Sequence, residues 1–324
     1  MKQEIYSLTC LKGICAMLVV LIHTHMAGKV AFIPFYRCAV PLFFMISGYF
    51  LMGEGIWRQE KIRQAIRRML LIWVVADVVY ILLTQFFFTK YNALHNSTSI
   101  VRTLCMEVVF GGQFCSPLWY VTAYVWALVI LYFWRCQLNK FSLGVVVLLL
   151  LANVLLGAYR FLLPFEIADN HYISNNFLTT ALPFLLLGGF LRLYAQKPAY
   201  KRILSVKILG CLLVLCYAEL AFLYFVNSRD GDVFLTTPIL SALILGLFAR
   251  HPNWGKDSLV RVIGNKYSLN IYLLHVIVIW TVGACSEWFG INTRNYEYLL
   301  VLPVTILLCY ILEKIKTIYK DFII

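Results

Sequence analysis

Apolar runs long enough to cross a lipid bilayer recur along almost the whole chain of 324 residues. A membrane helix needs about 20 consecutive apolar residues, within a range of roughly 17–25. We therefore predict an all-α integral membrane protein with one transmembrane domain that covers residues 1–324. The runs between polar breaks predict ten transmembrane helices, at residues 8–26, 39–53, 70–88, 118–134, 142–160, 177–194, 206–226, 234–249, 268–286 and 298–313.

The formal net charge of +13 would suggest a nucleic-acid partner in a soluble protein. When the ten helices are threaded alternately across a bilayer, most of the 28 Lys and Arg residues fall on the side that holds the N-terminus. By the positive-inside rule, both termini are predicted to lie in the cytoplasm. Topology then accounts for the charge, so we expect membrane lipids and no nucleic acid as partners. The ten cysteines show no CxxC spacing, and no metal site is predicted.

The first apolar run, LKGICAMLVVLIHTH, contains two ionisable residues, Lys12 and His23. A lysine at the centre of a membrane helix costs roughly 2.5–3.5 kcal/mol on insertion scales. The step between the two residues turns a helix through about 1100°, which returns to within roughly 20° of the same face, and rises about 16.5 Å. We predict that both side chains line one inward-facing pathway. The alternative is that Lys12 reaches the cytoplasmic interface and that His23 is a satisfied polar residue between helices.

Three arginines, Arg63, Arg67 and Arg68, stand in KIRQAIRRML at the cytoplasmic entry of the third predicted helix. Guanidinium groups bind phosphate through paired N–H donors. The cluster therefore indicates a phosphate site, either on a soluble phosphorylated ligand or on lipid headgroups.

Further polar residues inside the predicted helices are candidates with structural alternatives. In VPLFFMISGYFL, Gly48 would allow close approach of another backbone, and helix packing is an alternative role for its two hydroxyl neighbours. The aromatic pair in LWYVTAY could be an interfacial belt, and the histidine that ends IGNKYSLNIYLLH could be structural. Intramembrane acids need partners, and His23 or Lys12 could supply one. These candidates are Ser47, Tyr49, Asp77, Trp119, Tyr120 and His275, and Glu219 raises a similar question.

Several motifs in order along the chain resemble the acyltransferase 3 family of bacterial membrane acyltransferases. They are LTCLKGICAMLVVLIH, VPLFFMISGYFL, RQAIRRML, PLWYVTAY, LPFLLLGGFLRL and NKYSLNIYLLH. The chain departs from that family in two places. Lys12 stands where the family commonly has arginine, which keeps the charge but loses the guanidinium fork. An acid that the family often has near the position of Thr9 is missing.

The resemblance implies transfer of an acyl group, usually acetyl from acetyl-CoA, to a hydroxyl of a cell-envelope glycan or lipid-linked sugar. It implies that His23 acts as catalytic base or acyl carrier, and that the coenzyme A moiety is bound by Lys12, Arg63, Arg67 and Arg68. The expected location is the bacterial plasma membrane, which the chain would cross many times. Oligomeric state stays open.

The alternative function is a transporter for a small substrate such as an amino acid. Membrane domains that resemble this family also occur fused to amino-acid racemases and are linked to serine uptake. The chain ends shortly after its last predicted helix, without a soluble racemase domain or an esterase-like domain, and this favours the enzyme.

Overall fold

The structure, a computed structural model, describes residues 5–96, 99–135, 137–164, 171–195, 197–200, 205–226, 233–293 and 295–323. The chain is 81% helical, and the described ranges contain no strand. Several basic residues of the sidedness argument, Lys201 and Arg202 among them, lie outside these ranges. The helices are α1 (Tyr6–His23), α2 (Ile33–Leu51), α3 (Gln59–Phe86), α4 (Ala93–Asn96), α5 (Ile100–Phe110), α6 (Trp119–Trp134), α7 (Lys140–Leu156), α8 (His171–Ser174), α9 (Leu182–Tyr194), α10 (Val206–Phe225), α11 (Thr237–Arg250), α12 (Leu259–Val262), α13 (Ser268–Phe289) and α14 (Glu297–Ile323).

Eight helical segments of the described chain are long and apolar enough to span a membrane, which confirms the all-helical membrane fold. The predicted helices at 142–160 and 234–249 fall on the shorter α7 and α11, of 17 and 14 residues. At 1.5 Å per residue these reach about 25 and 21 Å, less than the ~30 Å of the hydrocarbon core. The count of ten spans and the cytoplasmic termini therefore stay predictions.

Helix α3 shows how these segments meet lipid. Its Leu71, Val74, Val78 and Leu82 are 66%, 53%, 50% and 51% exposed. Their spacing of three or four residues places them in one stripe along the helix. An apolar stripe of this length is unfavourable in water and matches a lipid-facing surface, so it supports a bilayer as the solvent of this helix.

Two helix boundaries differ from the hydropathy prediction. Helix α1 ends at His23 instead of residue 26, and α3 begins at Gln59, well before residue 70. Hydropathy detects only the part of a helix that is apolar, whereas Gln, Glu, Lys and Arg favour helix and extend α3 beyond it. As a result, Arg63, Arg67 and Arg68 are on α3 itself.

The chain divides into two compact units. Unit 1 comprises Met1–Ala39 and His251–Ile324, and unit 2 comprises Val40–Arg250. In unit 1, α1 packs against α12, α13, α14 and a π-helical segment, Ile263–Tyr267, that joins α12 to α13. In unit 2, α6 packs against α3, α5, α9 and a second π-helical segment, Phe177–Ala181. The prediction of one domain over residues 1–324 stays a prediction.

A glycine crossing fixes α1 inside unit 1. A Cβ placed on Gly264 would lie 1.9 Å from the carbonyl oxygen of Thr9. A Cβ on Gly13 would lie 2.2 Å from the carbonyl oxygen of Val260. Each glycine thus faces the other segment's backbone, and no larger residue fits without moving a helix. Small residues commonly allow such close approach between membrane helices.

Unit 2 contains a second crossing of the same kind, between α2 and α9. A Cβ on Gly48 would lie 1.9 Å from the carbonyl oxygen of Leu185, and one on Gly188 would lie 2.0 Å from that of Met45. This confirms the close backbone approach expected at Gly48. The glycine partner on α9 comes from LPFLLLGGFLRL.

Candidate active site

The candidate site in unit 1 is built around the C-terminal end of α1, where His23 is the last helical residue and is exposed. The final carbonyl groups of a helix have no partner within the helix. Here Lys29 supplies one, because its Nζ donates hydrogen bonds to the carbonyl oxygens of Ile22 and Thr24, the latter at 3.0 Å. These two residues flank His23, so Lys29 holds the backbone on both sides of the histidine.

A second contact holds the chain just beyond His23. The backbone N–H of His25 donates a hydrogen bond of 2.7 Å to the carboxylate of Glu297, the buried first residue of α14. Sequence analysis selected neither Lys29 nor Glu297. The signal that could have found Lys29 is a cation shortly after a helix C-terminus. Together, Lys29 and Glu297 fix the segment that carries His23.

His275 lies beside His23, with 5.2 Å between the ring centroids and 38° between the ring planes. It is fully buried on α13. Its Nδ1 lies 3.1 Å from the carbonyl oxygen of Ile271 and 2.8 Å from that of Tyr272. Carbonyl oxygens only accept, so we assign the proton of the neutral ring to Nδ1.

The other ring nitrogen of His275, Nε2, is then a bare acceptor, and it is buried without a hydrogen-bond partner in the described structure. Leaving a buried acceptor unsatisfied costs about 1–3 kcal/mol. Such an atom next to an exposed imidazole is what a site for a hydroxyl-bearing substrate requires. The structure therefore brings together two histidines that sequence analysis had named separately.

Lys12 lies on the same helix as His23 and is half-buried. It precedes Gly13 of the crossing, and ideal helical rise puts it about 16.5 Å from His23. The prediction that the two line one pathway stays a prediction.

The three arginines on α3 belong to unit 2 and are exposed. Arg63 forms an ion pair of 2.7 Å with Glu60, one turn away. Arg68 lies near Tyr124 of α6, and Tyr124 also hydrogen-bonds Ser47 of α2. The phosphate-binding role of the cluster stays a prediction.

The candidates of α2 and α6 in unit 2 take part in aromatic packing. The rings of Phe44 and Tyr120 lie 4.5 Å apart, and Phe44 also approaches Trp119, at 6.5 Å. Arg192 lies 5.2 Å from the ring centroid of Tyr49 and donates a hydrogen bond of 3.3 Å to its hydroxyl. Since Tyr120 and Tyr49 are buried, their observed contacts favour packing over a belt at the membrane interface.

Asp77 has an acid for a neighbour, Glu107, which sequence analysis did not select. Glu107 accepts hydrogen bonds from the backbone N–H groups of Gly112 and Gln113, at 3.2 and 2.6 Å, and from the indole of Trp73, at 3.4 Å. Asp77 is in hydrogen-bond contact with Glu107. Because Glu107 is already surrounded by donors, the pair is most stable with Glu107 ionised and with the shared proton on Asp77.

This proton assignment predicts opposite sensitivities for two conservative changes. Asp77→Asn keeps a donor toward Glu107 and is expected to change thermal stability little. Glu107→Gln turns an acceptor into a donor that faces N–H groups, and it is expected to cost about 1–3 kcal/mol. Thermal unfolding of both variants in the same lipid tests this, and a larger loss in Asp77→Asn would reverse the assignment.

Glu219, the other intramembrane acid, is satisfied within unit 2. It accepts hydrogen bonds from the hydroxyl of Tyr159 at 2.6 Å, from the N–H of Leu235 at 2.7 Å and from the N–H and hydroxyl of Thr236. Burial and the neighbouring carboxylate raise the pKa of Tyr159, which keeps that donor protonated. This environment assigns Glu219 a structural role. Among the described residues, no group of three or more His, Cys, Asp or Glu is placed to hold a metal ion.

Comparison with known proteins gives one family and a small set of distant relatives. The family model for an acyltransferase domain, acyltransferase 3, matches residues 5–314. Two proteins of Enterococcus faecalis named amino-acid racemase are 23% identical over 98% of this chain and 32% identical over 38% of it. A serine/alanine racemase of Enterococcus gallinarum is 25% identical over 84%. The chain covers 47%, 17% and 39% of these relatives, less than half of their length. No solved structure matches it.

Proposed function

The chain belongs to the acyltransferase 3 family, and from this we propose that it is a membrane O-acetyltransferase. The donor is acetyl-CoA from the cytoplasm, and the acceptor is a hydroxyl of a cell-envelope glycan or lipid-linked sugar. The proposed location is the bacterial plasma membrane. The observation that carries the proposal is the pair of imidazoles, one exposed and one with a buried bare acceptor atom, at the end of α1.

His23 is the proposed reacting group. In the direct route, the acceptor oxygen attacks the thioester carbonyl carbon, and a new C–O bond replaces the C–S bond. The hydroxyl proton passes to the imidazole of His23 and then to the departing thiolate of coenzyme A. In the covalent route, the imidazole carries the acetyl group before the hydroxyl takes it. Both routes need a neutral His23 with room for the acyl group, which its exposure supports.

Cationic side chains would hold the donor. Lys12, Arg63, Arg67 and Arg68 suit the phosphates of coenzyme A, since ammonium and guanidinium groups form charge-assisted hydrogen bonds with phosphate oxygens. The pantetheine arm would then carry the thioester toward His23, over about 16.5 Å of helical rise from Lys12.

Purified wild-type protein in lipid nanodiscs tests the proposal without knowledge of the acceptor. We expect saturable binding of acetyl-CoA and slow release of free coenzyme A, with water as the acceptor. Absence of binding by folded protein at saturating acetyl-CoA would exclude the donor we propose.

A second candidate function, transport of a small substrate such as an amino acid, is favoured by the names of the racemase relatives. Their racemase names belong to proteins more than twice the length of the matched region. A transporter would accumulate radiolabelled serine in proteoliposomes that contain no acetyl-CoA. The enzyme would show no such uptake, so the same purified protein separates the two functions.

Lys29 is proposed to position His23. Lys29→Met removes both bonds to the end of α1, and because a misplacement of about 1 Å can cost 10²-fold in rate, we expect hydrolysis to fall by up to about 10²-fold. The KM for acetyl-CoA should stay unchanged. Lys29→Arg, which keeps a donor, should recover much of the rate. Equal losses in donor binding and hydrolysis would instead indicate a general folding defect.

A further inference from the structure

A pocket of about 480 Å³ opens in unit 1 beyond the ends of α1 and α13 and at the start of α14. Pockets that bind small ligands usually have volumes of about 300–1,000 Å³. The polar side chains in the lining are a histidine, two carboxylates, an amide and two hydroxyls. They are His25, Ser286, Glu287, Asn292, Thr293 and Glu297.

The pocket adjoins the site of the proposed reaction. His25 lines it and is only two residues from His23, so their Cα atoms are at most about 7 Å apart. On α13, Gly283 of the lining follows His275 by eight residues, which is about 12 Å along the helix. A ligand in the pocket would therefore lie next to the two histidines without filling the space between them.

Glu297 has unused hydrogen-bonding capacity toward this pocket. Its buried carboxylate accepts the N–H of His25, whereas an ionised carboxylate has about four acceptor positions. Ser286 and Thr293 contact each other through their hydroxyls at 2.9 Å, which joins the end of α13 to the following loop. The pocket wall is thus a connected polar surface.

We propose that this pocket is the acceptor subsite and binds an uncharged sugar unit of the glycan. Carboxylate and amide oxygens accept hydrogen bonds from sugar hydroxyls. Glu287 and Glu297 would repel the carboxylate of an acidic sugar. The distance along α13 makes this sugar a neighbour of the one that is acetylated. The inference rests on the proposed transferase function and adds the class of acceptor, an uncharged oligosaccharide.

Binding of two matched trisaccharides tests the subsite directly. The probes are maltotriose, which is neutral, and trigalacturonic acid, which is anionic. Saturation-transfer NMR detects weak binding, and lipid nanodiscs replace maltoside detergent because the maltoside headgroup is itself a neutral sugar. We expect a signal for maltotriose that Glu287→Gln and Asn292→Ala reduce several-fold. Glu54→Gln, an exposed glutamate of unit 2, is the matched control and should leave the signal unchanged.

The result that overturns the subsite is a maltotriose signal that is absent, or one that both pocket variants leave unchanged, or a preference for trigalacturonic acid. This assay does not use acetyl-CoA, so it is independent of the transferase assay. Loss of coenzyme A release with intact maltotriose binding would count against the enzyme alone. The reverse pattern would count against the subsite alone.

Discussion

Replacing His23 by alanine is expected to leave acetyl-CoA binding intact and to lower thioester hydrolysis by about 10²- to 10⁴-fold, the usual contribution of a positioned acid or base. The side chain is exposed at the end of α1, so its removal leaves the helix packing unchanged. Binding is measured by equilibrium titration and hydrolysis by release of free coenzyme A. The difference between the two readouts assigns His23 to chemistry and not to donor recognition.

His95→Ala is the matched control for this prediction, because His95 is also an exposed histidine and lies in unit 2 on the short helix α4. It should match wild type in both assays. A folded His23→Ala protein that hydrolyses acetyl-CoA at the wild-type rate would remove His23 from the mechanism.

The second large effect is expected from Gly264→Ala. The added methyl group would lie 1.9 Å from the carbonyl oxygen of Thr9, where no atom can remain, so α1 must separate from the Ile263–Tyr267 segment. Overpacking of a well-packed interior typically costs about 1–3 kcal/mol, and contact with rigid backbone belongs at or above the upper end of that range. We expect a marked loss of folded protein, measured by gel filtration and thermal unfolding in lipid.

Gly144→Ala supplies the control, since a Cβ on this glycine of α7 would meet no atom within 4 Å. In a helix, alanine is more favourable than glycine by about 0.8–1 kcal/mol, so this variant should be as stable as wild type or slightly more stable. If Gly264→Ala were equally stable, the crossing would be looser than its geometry indicates.

Hydropathy and residue spacing were sufficient to predict the helices and the close approach at Gly48, because lipid requires long apolar segments and small residues where helices touch. They could not pair His23 with His275, since the two lie on helices from opposite ends of the chain. Nor could they identify Lys29, which stands in a short connection, or Glu107, whose helix α5 is too short to attract attention as a membrane span. Tertiary packing alone selects these contacts.

The acid near Asp77 illustrates the same limit. A carboxyl group in a membrane helix suggested a basic partner by electrostatic reasoning. The structure instead provides backbone N–H groups and an indole for Glu107, and Asp77 shares its proton with that carboxylate. Backbone donors cannot be recognised from residue types.

The crossing at Gly13 has a consequence for how this chain can vary. Between Gly13 and His23, α1 acts as a rod of fixed length whose far end is aimed by its near end. Adding or deleting one residue there would rotate the imidazole by about 100° and shift it by about 1.5 Å along the axis. Related chains should therefore exchange one apolar side chain for another within this stretch, while the number of residues that separates the glycine from the histidine stays constant.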